Sequence, residues 1–139
     1  MMEKSVVGRN EYISIPELEF YDIEAKIDTG ADSCSIHCDE IYLNENGTVH
    51  FKLLDDSHPN YSQEDIVMPV HKIKKVKSSN GKSEERIFIK TAISIVGKTY
   101  MAEISLTNRK DMKYPMLIGR KFLEKRFLVD VSLKYKKKV

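Results

Sequence analysis

Tryptophan is absent from this chain, cysteine occurs twice, and proline and glycine number only four and six in 139 residues. Two cysteines cannot staple a fold, so stability must come from a hydrophobic core, which a chain of this length builds as one domain. Glycine and proline at this level exclude collagen-like and low-complexity architectures. No apolar run approaches the ~18 residues of a membrane-spanning helix. Met1-Met2-Glu3-Lys4 lacks the apolar core of a secretory signal. The expectation is a cytoplasmic chain, away from membranes, with its thiols reduced. Charge of one sign is missing too: 23 Lys and Arg against 21 Asp and Glu leave +2, too little to argue for a nucleic-acid partner.

What is present is period two. Tyr12-Ile13-Ser14-Ile15 stops at Pro16 and predicts a strand ended by proline. Ile23, Ala25 and Ile27 alternate with Glu24 and Lys26, and Val49, Phe51 and Leu53 alternate again between loops at 44–47 and 55–60. Val70 to Val76 and Arg86 to Ile95 flank Ser78-Ser79-Asn80-Gly81, where Asn-Gly predicts a two-residue hairpin turn. A second tight turn at Val96-Gly97-Lys98 leads into Tyr100, Ala102, Ile104 and Leu106. Only Arg120 to Phe127 has the spacing of a short helix, with Leu128 to Val131 as a strand after it and Lys134 to Lys138 as a solvated end. The pattern predicts an all-β domain, a small closed barrel or sandwich, with one short C-terminal helix.

Cys34, His37 and Cys38 are the soft ligands nearest one another, but Cys-x-x-x-Cys without a second pair is a poor zinc frame. Packing or an unreactive thiol suits it better, and neither metal nor cofactor is expected. No His-Glu-x-x-His occurs. Gly97-Lys98-Thr99 resembles the end of a phosphate loop, yet Ala92 stands where that loop needs glycine. His37, His50, His58 and His71 lie among polar neighbours and read as surface residues.

Ile27-Asp28-Thr29-Gly30-Ala31 closes an alternating strand and occurs once. Hydrolysing an amide without metal or covalent intermediate needs a water deprotonated as it attacks and a proton for the leaving nitrogen. Two carboxyl groups sharing one proton do both, because held about 3 Å apart they cannot both ionise. The chain supplies one such loop, so an enzyme of this kind must be a dimer. Taken alone, Asp-Thr-Gly is equally a turn.

Its companion is Pro115-Met116-Leu117-Ile118-Gly119-Arg120 and the short helix after it. Together, Asp28 to Asp32 and this apolar-apolar-Gly-Arg segment resemble the retropepsins, the dimeric aspartic proteases of retroviruses. Gly8-Arg9-Asn10-Glu11-Tyr12, Ile15 to Leu18, Ala25 to Ala31, Ser79-Asn80-Gly81, Met112 to Arg120 and Phe127 to Asp130 resemble more closely a bacterial family of retropepsin-like proteins, customarily labelled ATP-dependent zinc proteases. That resemblance spans roughly residues 7 to 135 and implies a small closed barrel of acid-protease type. It makes Asp28 the catalytic carboxylate, Thr29 the lock between two loops and Gly30 the floor of the cleft. Ala31 and Asp32 would meet substrate, and Ser79, Asn80 and Gly81 would lie on a flap, the hairpin of 78–82. Gly119 and Arg120 would brace the loop from behind. Ser33 stands where retropepsins usually carry a second Asp, so Arg120 needs another partner, with Asp32 the nearest candidate. Arg86, Arg109, Asp111 and Met112 also match the bacterial pattern.

The leading expectation is a homodimeric aspartic endopeptidase cleaving peptide or isopeptide bonds, whose partners are itself and a peptide or protein substrate. A catalytically silent dimeric peptide-binding module of the same fold is the alternative. A zinc enzyme using Cys34, His37 and Cys38 is a third.

Overall fold

Strands account for nearly all the regular structure in the computed structural model, which describes residues 3–54, 58, 61, 63–77, 81–108 and 113–135. In chain order they are β1 (Ser5–Val7), β2 (Asn10–Ile15), β3 (Phe20–Ile27), β4 (Cys34–Leu43), β5 (Thr48–Leu53), β6 (Ile66–Pro69), β7 (Lys72–Lys77), β8 (Ser83–Ile95), β9 (Lys98–Thr107), β10 (Met116–Ile118) and β11 (Phe127–Val129). A 3-10 turn at Pro16–Leu18 and one helical turn, α1 (Arg120–Leu123), complete the set.

Six strands close on themselves. β10 pairs with β3, β3 with β2, β2 with β8, β8 with β9, β9 with β4, and β4 returns to β10. β10 is only three residues long, yet it is the stave that shuts the barrel, parallel to β3 and antiparallel to β4. Closure removes free edges from the barrel proper. Ile13, Ile23, Ile36, Ile89, Ile93, Ile104, Met116 and Ile118 are fully buried and belong to one core cluster. Each fully buried side chain of this size contributes about 1.5–3 kcal/mol relative to exposure. β5 and β6 extend the sheet beyond β4, and β7 pairs with the first half of β8 as a hairpin arm off the barrel. β1 and β11 form a separate parallel ribbon in which Val6 and Leu128 are register partners, both exposed. No helix among the described residues is long and apolar enough to cross a membrane.

Several expectations need correction. The helix ends at Leu123, because Glu124 is extended (φ −52°, ψ 132°) and Lys125 turns left-handed (φ 66°). Phe127 therefore opens β11, where it was expected to end the helix. Its ring stacks on Phe122 at 5.8 Å, a contact made by the reversed chain rather than by helical spacing. The β7–β8 connection is residues 78–82, longer than two, since the paired residues end at Lys77 and Ser83. Gly81 has φ +84°; Ser79 and Asn80 lie outside the described residues, as do Arg109, Asp111 and Met112. The tight turn expected at Val96-Gly97-Lys98 forms between the paired Ile95 and Lys98, with Val96 and Gly97 both at positive φ. His37 is buried, not at the surface. Lys134 and Tyr135 are not a free end: the Tyr135 N–H donates to the Asn10 carbonyl at 2.7 Å and the Tyr135 ring packs on Tyr12 at 4.8 Å.

Candidate functional site

β3 runs straight into the Asp28 loop, and β10 runs beside β3 into Gly119. Parallel pairing thus delivers the two sequence motifs side by side. The Asp28 N–H donates to the Ile118 carbonyl at 2.8 Å, and the Ala31 N–H closes the turn on the Asp28 carbonyl at 3.1 Å. Beyond Gly119, the N–H groups of Arg120 and Lys121 donate to the carbonyls of Ala31 (2.8 Å) and Asp32 (3.1 Å). The first N–H groups of α1 have no helical acceptor, and the loop carbonyls satisfy them.

Gly119 is required by space rather than by backbone angle. Its φ is −94°, open to any residue, but a Cβ there would sit 2.5 Å from the Ser33 carbonyl oxygen. Gly30 faces the other way, its N–H donating to Asp28 Oδ1 at 3.1 Å and orienting that carboxylate. Arg120 Nη1 donates to the Thr29 carbonyl at 3.0 Å, and its other nitrogen lies 3.6 Å from Asp32. Lys121 reaches the second Asp32 oxygen at 3.3 Å. Asp32 is thus the acidic partner that Arg120 needed. These ion pairs are about half exposed, and pairs of that kind contribute less than about 1 kcal/mol. The backbone bonds and the close approach at Gly119 hold the loop; the charges trim it.

Asp28, Gly30, Ala31 and Asp32 line a cleft of about 670 Å³. Ser35, Ser105, Thr107 and Leu117 also line it, and Lys74, Lys75, Val76, Arg86 and Phe88 enter from the β7–β8 arm. Lys74 and Arg86 are directly opposed in the β7–β8 register, so their side chains share one face. Arg86 is drawn to Glu84 at 2.9 Å. The arm is anchored at its base by Glu103, which takes His71 at 2.8 Å and Lys72 at 3.3 Å. The hydrogen bond from His71, then Lys72, holds the Glu103 carboxyl below its usual range.

The structure brings Asp28 to Asp32, Gly119 and Arg120 together. Gly81, at the end of the arm, does not line the cleft in this single chain. Sequence reasoning missed Lys74, Lys75, Ser105 and Thr107; the alternation of β9 held a signal, since Ser105 and Thr107 recur there at the second position, whereas Lys74, Lys75 and Val76 are consecutive and no strand period marks them. The soft-ligand trio does not converge: strand alternation puts Cys34 and Cys38 on one face of β4 and His37 on the other. Burial pushes the Cys34 thiol up to about 11 and raises that of Cys38 further. Thiols so held stay protonated and ligate poorly.

A family model described as RimB-like, retropepsin-like aspartic endopeptidase RimB, matches residues 6–139. A Shewanella pealeana protein named probable alpha-L-glutamate ligase is 35% identical over 136 residues, covering 93% of this chain and 29% of that protein. A Desulfotalea psychrophila protein of the same name is 30% identical over 133 residues, covering 94% and 29%. The chain therefore spans about three-tenths of the length of these curated relatives. Among solved structures, the Legionella pneumophila protein Lpg0085 (DUF785), of unknown function, matches with a TM-score of 0.74 at 25% identity, covering 96% of this chain and 98% of that one.

Proposed function

This chain belongs to the RimB-like family of retropepsin-like aspartic endopeptidases, and on that premise we propose that it is a homodimeric aspartic endopeptidase of acidic peptides. The observation that carries the reading is the Asp28 loop: a half-buried carboxylate aimed by the Gly30 N–H at the floor of a peptide-sized cleft. Each chain contributes one carboxylate. Two copies meeting at this loop form a dyad that shares a proton, one oxygen taking the proton of the attacking water while the other carboxyl protonates the leaving nitrogen. The exposed Val6 and Leu128 of the terminal ribbon give a second copy apolar surface to cover.

Dilution tests the assembly. Half a site per chain makes specific activity fall as the concentration drops through the dimer dissociation constant. Sedimentation of the same samples should show monomer appearing in step with the lost activity. Undiminished activity from a sedimenting monomer would end the reading.

The cleft's cations support the acidic substrate. Lys74 faces Arg86 across the strand pair, and Glu84 already offsets Arg86 at 2.9 Å, so Lys74 and Lys75 are the cations left to favour an anion in the cleft. The names of the curated relatives point the same way, since glutamate carries such a carboxylate. Glutamate-rich peptides should be cleaved at least about tenfold better than serine-substituted ones at low salt, with the preference shrinking as salt rises. Lys74→Glu should erase much of it. Mass spectrometry of the cleavage products reads both; equal cleavage of neutral peptides would remove the acidic preference.

A further inference from the structure

Glu103 lies between two sets of cations. On the arm side its carboxylate takes His71 at 2.8 Å and Lys72 at 3.3 Å. On the other side Glu103 lines a small cavity, of about 140 Å³, together with Ser33, Lys121, Phe122 and Arg126. Lys121 is already engaged by Asp32 at 3.3 Å. Arg126 is not: its guanidinium lies over the Tyr100 ring at 4.4 Å and near Phe122 at 5.6 Å, and among the described residues it is in no ion pair. Lys90, directly opposite Glu103 in the β8–β9 register, is exposed and does not line the cavity. Arg126 is therefore the cation of this cavity that still lacks a carboxylate.

The pose of the arm depends on this region. Beyond Ile87, which pairs with Leu106 on β9, the outer residues of β8 have β7 as their only strand partner among the described residues. A two-stranded ribbon is marginal by itself, so its direction is set at its base. There Lys72 lies opposite Phe88, and the His71 N–H donates to the Phe88 carbonyl at 2.8 Å. Further out, Lys74, Val76 and Arg86 line the Asp28 cleft. Glu103 is partly exposed, its side chain turns about three torsions, and the cavity gives it room to reach Arg126. A guanidinium fork is a strong carboxylate partner, and exchanging one partly exposed set of charged bonds for another changes the free energy little. We propose that Glu103 is a two-position latch: held by His71 and Lys72 it clamps the arm over the Asp28 cleft, and held by Arg126 it frees the arm to lift. The motion of the arm stands apart from the chemistry at Asp28; its consequence for cleavage rests on the peptidase reading.

Amide hydrogen exchange of the full chain, read by NMR without any substrate, tests the latch. Glu103→Gln loosens the clamp, so amides of residues 74–77 and 83–86 should exchange at least about threefold faster than in wild type, while those of β2 and β3 keep their rates. Arg126→Met keeps an aliphatic stem on the rings but removes the second position. The same arm amides should then exchange about twofold or more slower than in wild type. The opposite signs separate a latch from plain support, since losing a merely structural Arg126 would speed the arm or leave it alone. In the double variant the arm should behave as in Glu103→Gln alone, because Arg126 acts through Glu103. Arg126→Gln carries the test if Arg126→Met fails to fold. Unchanged or faster arm exchange in a folded Arg126 variant overturns the latch and leaves the peptidase reading intact, as does unchanged exchange in Glu103→Gln. In a cleavage assay, Glu103→Gln should raise KM while kcat stays within about twofold; a fall in kcat alone would make Glu103 part of the chemistry and overturn the latch. Opposed exchange shifts in a chain that cleaves no peptide keep the latch and remove the peptidase.

Discussion

Asparagine in place of Asp28 is expected to lower kcat/KM for peptide hydrolysis by about 10³-fold or more, with the thermal midpoint almost unmoved. The two effects separate because the side chain does little for the fold. Its backbone makes the structural bonds, to Ile118 and Ala31, and those survive the substitution. The side chain accepts one hydrogen bond, from the Gly30 N–H at 3.1 Å, which an amide oxygen accepts equally well. Asp28 is only half-buried, so the exchange falls among substitutions that cost within about 0.5 kcal/mol. The chemistry has no such substitute. An amide cannot take a proton from water, and in a two-chain dyad both halves are lost at once. A thermal scan beside a cleavage assay on the same sample checks both statements, and full activity from folded Asp28→Asn would remove the dyad.

Much of this arrangement was legible in the sequence, for a physical reason. β3 buries one face, and β9 alternates apolar Ala102, Ile104 and Leu106 with polar Glu103, Ser105 and Thr107 even though Ile104 to Thr107 are all buried, so the period survives in the residues, and the Asp28 loop could be placed at the end of β3. β4 was missed because Cys34 to Cys38 are all buried, packed against neighbours on both faces, which erases the period-two signal. β10 was seen only as a motif. Three residues are too few to show a period, and the role of β10 as closing stave depends on partners 80 and more positions away. α1 was drawn too long because Phe122, Leu123 and Phe127 fit helical spacing and also fit a turn that folds Phe127 back onto Phe122. A groove lined by Arg9, Lys26, Lys113 and Lys134 left no local trace, because these cations lie far apart in the sequence and meet only once the barrel closes and the segment around Leu133 docks on Arg9.

Gly119→Ala is expected to cost about 2–3 kcal/mol, at the upper end for overpacking by one methyl group. The magnitude follows from what the methyl would meet. The nearest atoms are the Ser33 carbonyl oxygen at 2.5 Å, its carbon at 2.6 Å and the Ser33 nitrogen at 2.9 Å, all backbone. A flexible side chain could swing away from such a contact; a backbone carbonyl between the Asp28 loop and β4 cannot. Relief requires moving residues 31–33 away from β10, which strains the bonds from Arg120 to Ala31 and from Lys121 to Asp32. For a domain of this size the loss corresponds to roughly 6–12 °C in thermal midpoint. Because Ala31 and Asp32 line the cleft, the displacement reaches the carboxylate loop, so kcat/KM falls beyond what the unfolded fraction explains. Arg120→Ala separates the two kinds of support. It removes only the bond to the Thr29 carbonyl and a half-exposed ion pair, and should cost about 1 kcal/mol or less. A thermal scan that ranked Arg120→Ala as the more damaging of the two would mean that charge, not close backbone packing, holds the loop.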